Sequence, residues 1–65
     1  MGLRPKEDQR IKFCQFGTAE IRIGTVKRIL RPEFYRHLKR VQYLVECDGE
    51  QLHIEPHEMI EYVSK

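Results

Sequence analysis

The chain has no tryptophan, and only two cysteines, three prolines and four glycines among its 65 residues. Two thiols cannot build the dense disulfide framework of a small secreted domain, and Cys14 and Cys47 lie far apart in sequence. That usage suits a reducing cytoplasm. No apolar run approaches the ~20 residues of a membrane-spanning helix, and no signal-peptide core is present. A glycine-rich phosphate loop and a dinucleotide fingerprint are both missing. No Cys–His or Ser–His–acid set is suggested, since Thr18 and Thr25 flank glycines as turn residues. So small a fold also offers little concave volume unless it oligomerises. The expectation is a non-enzyme without a cofactor.

What is present centres on residues 41–63. Tyr43, Val45 and Cys47 alternate with Leu44 and Glu46, the period-2 pattern of a half-buried strand. Asp48-Gly49 is a preferred pair for a two-residue turn in which both residues need positive φ. Leu52 and Ile54 then alternate with Gln51, His53 and Glu55. Pro56 has no amide proton and ends the ladder. The segment after it reads as one 3₁₀ turn leading into a last strand, with a short helix as the alternative.

Upstream, residues 1–10 read as a flexible N-terminal arm, polar and without a period. Residues 11–65 then form a single domain. Ile11 to Phe16 is a short strand candidate whose inward face is ambiguous. From Glu20 to Leu30 the chain is mostly extended, with Ala19, Ile21 and Ile23 on one side. The apolar phase slips at Gly24, which predicts a β-bulge or bend there, or a turn between two shorter strands. Residues 31–40 carry Pro32, Glu33 and apolar positions at helical spacing but no good N-cap residue. A loop with at most one helical turn is expected. The whole predicts an all-β fold, a small barrel of about five short strands with a 3₁₀ turn before the last. A chain this short buries only ~60% of its unfolded surface, so it needs a well-packed core or self-association.

The net charge is only +2, but it is unevenly spread. Residues 22–40 hold seven basic side chains against the single acid Glu33, whereas residues 41–65 hold six acids against Lys65. This polarity suggests a basic face for an anionic partner. The alternative is that the two halves neutralise each other across the fold.

The run GTVKRIL, then YLVECDGEQLHIEP, then HEMIEYV resembles SH3-like small barrels of the Tudor or KOW kind. The resemblance covers roughly residues 20–63 and implies binding to nucleic acid, to peptides or within an assembly. An aromatic cage of the Tudor type would draw on Phe34, Tyr35 and Tyr43. RILRPEFY is also similar to the start of the small barrel subunit of photosystem I, although the GTV strand precedes it here instead of following. YLVE, DGEQLHIEP and MIEYV further resemble the plasmid-borne trimethoprim-resistant dihydrofolate reductases, homotetrameric SH3-like barrels. Their pore motif, Gln-Ile-Tyr before proline, reads His53-Ile54-Glu55 here. Glu55 would put negative charge where the anionic tail of folate approaches, so an oligomeric reductase is the remote alternative.

The basic segment carries the functional expectation. Lys27, Arg28, Arg31, Arg36, Lys39 and Arg40 surround Phe34, Tyr35 and His37. Phosphates attract mobile cations, and splayed bases stack on aromatic faces. The expected binding set is Lys27, Arg28, Arg31, Tyr35, Arg36, Lys39 and Arg40, facing RNA or single strands. An acidic protein partner is the alternative, and a solvated loop pinned to the core by Phe34 and Leu38 is the plain one. His53-x-x-x-His57 with Cys47 and Cys14 raises zinc, which needs four ligands converging tetrahedrally. Pro56 denies the histidines a shared helical face, and Cys47 is in phase with core positions. No metal site is expected.

Overall fold

A computed structural model describes residues 3–63, so positions 1–2 and 64–65 of the two expected segments lie outside the described residues. Five strands form one antiparallel sheet: β1 (Arg10–Phe13), β2 (Arg22–Leu30), β3 (Gln42–Cys47), β4 (Glu50–Ile54) and β5 (Met59–Tyr62). A 3₁₀ turn, Pro56–Glu58, precedes β5, and no α-helix occurs among the described residues. The strand order β4-β3-β2-β1-β5 is compatible with an SH3-like fold. The inner face is the core. Ile11 and Phe13 enter from β1, Val26 from β2, Tyr43, Val45 and Cys47 from β3, Ile54 from β4 and Met59 from β5. Each fully buried Ile, Val or Phe side chain there contributes roughly 1.5–3 kcal/mol.

The β3–β4 hairpin follows from local chemistry. Asp48 and Gly49 take φ of 52° and 81° and connect strands whose last ladder pair is Cys47 with Glu50. Two left-handed residues match the right-handed twist of the flanking strands. Arg22, at the start of β2, reaches this turn with its guanidinium 3.5 Å from both Asp48 and Glu50. Burial works against the Arg22 charge, but the neighbouring Cys47, Glu50 and Asp48 outweigh it and raise its pKa.

Strand β2 departs from the expectation in two ways. Its apolar positions run in the opposite phase: Gly24 and Val26 face the core, while Ile21 and Ile23 are exposed at 58% and 42%. The bulge also lies elsewhere, because the register with β3 shifts between Val26 and Arg28, making Lys27 the extra residue. Gly24 is instead required by close packing. A β-carbon there would lie 2.5 Å from Val45 Cγ1 and 2.8 Å from the Glu46 carbonyl oxygen.

The segment read as a flexible arm is tied down from Leu3 onward. Pro5 is fully buried and Leu3 packs against the core. The Asp8 amide donates to the Val26 carbonyl at 2.6 Å, and the Val26 amide donates to the Gln9 carbonyl at 2.9 Å. The bulge at Lys27 lies beside these bonds, and Arg10 already belongs to β1.

Glu58 closes the other end of the sheet. Its carboxylate accepts from the Phe16 amide at 2.7 Å and the Glu55 amide at 2.9 Å, while its carbonyl accepts from Cys14 at 2.9 Å. One residue of the 3₁₀ turn therefore fixes both the approach to β5 and the chain leaving β1.

Candidate functional site

Residues 31–41 form a loop joining β2 to β3. The Arg31 carbonyl accepts from the amides of Phe34 and Tyr35, both at 3.0 Å, which makes a single helical turn. The Leu38 amide then donates to Tyr35 at 2.9 Å, closing a second turn. Pro32 pre-sets the first turn, and the absence of a capping side chain before it keeps the helix from growing.

This loop holds Phe34 outward. Phe34 is 78% exposed, so it does not pin the loop to the core. Tyr35 is half-buried and meets His37 edge-to-face, with ring centroids 6.3 Å apart. Tyr43 belongs to the core and stands apart from these two, so the three aromatics of the expected cage do not share one groove.

The seven expected binding residues divide by electrostatics. Lys27, pushed out by the bulge, lies 3.4 Å from Glu46 on β3. Arg40 lies 3.9 Å from Glu55, which His57 also approaches at 3.4 Å. Arg28, Arg31, Arg36 and Lys39 are exposed and make no ion pair among the described residues. Arg28 lies on the outer face of β2, in register with Leu44 and His53. Neutralisation between the two halves thus reaches Arg22 and Lys27 on β2 and Arg40 at the end of the loop, and Lys12 also meets Glu61 at 3.3 Å. Exposed pairs of this kind contribute little, about 0–1 kcal/mol each.

A groove of about 670 Å³ opens beside the loop, at the end of the sheet's inner face. Leu3, Ile29, Pro32, Val41, Tyr43 and Pro56 line it. Arg4, Arg31 and Glu33 complete the lining. Sequence reasoning missed Arg4 and Glu33. Arg4 sat in the supposed arm, and Glu33 counted only as the exception in a basic run. Arg4 is positioned by its backbone amide, which donates to the Tyr62 hydroxyl at 3.1 Å.

The histidines and thiols do not converge. His53 is exposed on β4, Cys47 is buried, and the Cys14 thiol donates to the Thr18 carbonyl at 3.3 Å. Among the described residues no three His, Cys, Asp or Glu side chains are placed to hold a metal ion. No family model, curated protein or solved structure matches the chain.

Proposed function

We propose that this protein is a non-catalytic binding module, an SH3-like barrel of the Tudor or KOW kind, that contacts RNA or single strands. The contact surface is the 28–39 region, with Arg28, Arg31, Arg36 and Lys39 meeting phosphates and Phe34 and Tyr35 stacking on bases. The observation that carries this reading is Phe34, 78% exposed in a loop whose Arg31, Arg36 and Lys39, like Arg28 on β2, make no ion pair among the described residues. An exposed aromatic among cations suits a splayed base stacked over a charged backbone. Lys27 and Arg40 act as secondary contacts, because each must first leave a carboxylate. Ile54, the residue matching the reductase pore motif, is fully buried in this chain's own core, which further supports a non-catalytic role.

Titration of labelled RNA and DNA oligomers at low salt tests this. Wild type should bind with a steep salt dependence, and Arg36→Glu with Lys39→Glu should abolish the signal. Phe34→Ala should weaken binding by ~1–3 kcal/mol. An acidic protein partner would use the same cations, but Phe34 would matter less and capture from lysate would survive nuclease. Absence of oligomer binding at low salt would end the nucleic-acid reading.

A further inference from the structure

The groove beside the loop contains one arrangement that the strand-binding reading does not use. Most of its lining residues are apolar, yet Glu33 and two arginines, Arg4 and Arg31, line it as well. Tyr43, buried at 4% exposure, also lines the groove. A volume of about 670 Å³ falls within the roughly 300–1,000 Å³ of small-ligand sites, with room for a base and its sugar.

We propose that this groove receives one unstacked base of the bound strand and that Glu33 selects guanine. The proposal rests on the strand-binding reading and names what that same surface reads. A carboxylate offers two acceptor oxygens and no donor at neutral pH. Guanine alone among the common bases presents two adjacent donors, N1–H and the N2 amino group, on its Watson–Crick edge. Uracil presents one donor there, and cytosine and adenine each present a donor beside an acceptor. Guanine O6 is an acceptor and suits a guanidinium, that of Arg4 or Arg31. Pro32, Pro56 and the aliphatic side chains of the lining supply the apolar faces between which a flipped base is held. The phosphates on either side of that base then reach Arg31 and the loop cations.

The test uses fluorescence anisotropy with labelled ten-nucleotide uridine strands at low salt. The central position carries uridine, guanosine, inosine or adenosine. The guanosine strand should bind at least tenfold tighter than the uridine strand. Inosine, which lacks the N2 amino group, should lose most of that advantage. Glu33→Gln should bind all four strands within about twofold of one another while melting at the wild-type temperature. Equal binding of all four strands by wild type would overturn the guanine assignment and leave strand binding intact. No binding of any strand would remove both. Methyl shifts at Leu3, Ile29 and Val41 caused by octanoate but not by guanosine monophosphate would assign the groove to an anionic amphiphile and likewise overturn the proposal.

Discussion

Gly24 and Val45 approach so closely that a β-carbon on Gly24 would lie 2.5 Å from Val45 Cγ1. The Glu46 carbonyl at 2.8 Å and Phe13 Cε1 at 3.2 Å close the remaining space. A side chain can turn away, but the carbonyl belongs to the β2–β3 ladder and cannot. Gly24→Ala should therefore destabilise the fold by about 1–3 kcal/mol in urea unfolding. Adding Val45→Ala should not rescue it, because the carbonyl contact persists.

The exposure of Ile23 and the burial of Val26 set the phase of β2. Ile23→Thr keeps the strand preference and should change stability by less than ~1 kcal/mol, whereas Val26→Ala should cost about 2–3 kcal/mol. Paired thermal melts would check this. A large loss at Ile23 would restore the opposite phase.

The hairpin turn isolates a purely backbone cost. A β-carbon at Gly49 would meet nothing within 4 Å, but its φ is 81°. Gly49→Ala should lose about 1–2 kcal/mol, and Gly49→Asn clearly less, since asparagine visits the left-handed region routinely. Urea midpoints of the two variants give the comparison.

Glu58→Ala removes the acceptor for two backbone amides, and a loss of about 1–2 kcal/mol is expected. Glu58→Gln keeps one acceptor oxygen and should retain part of the stability. Hydrogen exchange should quicken at the Phe16 and Glu55 amides in both variants. Unchanged exchange at those two amides would contradict the contact.

Burial pushes the Cys47 thiol above its ordinary range, with Arg22 acting against the shift and Asp48 reinforcing it. The folded chain thus keeps the thiol proton at pH values where the unfolded chain has released it. The contribution is constant below the unfolded thiol pKa of about 8.5, and stability falls as pH rises past it. Tm should drop more between pH 7.5 and 9.5 in wild type than in Cys47→Ala. An equal drop in both would remove the thiol as the cause.

What was legible in the sequence was what depends on near neighbours. The Asp48-Gly49 turn, the Tyr43-Val45-Cys47 face and the Pro56 stop each need only a few residues around them. The phase of β2 was misread because Gly24 exists for atoms of Val45, Glu46 and Phe13, none of them close in sequence. The pinning of residues 3–9 escaped notice for a similar reason, since Asp8 and Gln9 bond to Val26 across the sheet. For the candidate site, composition showed the excess of cations but not their pairing. Glu46 on β3 engages Lys27, and Glu55 beyond β4 engages Arg40. Nothing near Glu33 in sequence shows that it lines the same groove as Arg4 and Arg31.

The pairing of β1 with β5 joins positions as distant as 11 and 62. The β3–β4 hairpin can form in about 1–10 μs, but adding β5 to β1 requires most of the chain to be in place first. Pairing of β5 therefore belongs late in folding. Substitutions at the Lys12–Glu61 pair should chiefly hasten unfolding, and those in the hairpin should chiefly slow refolding.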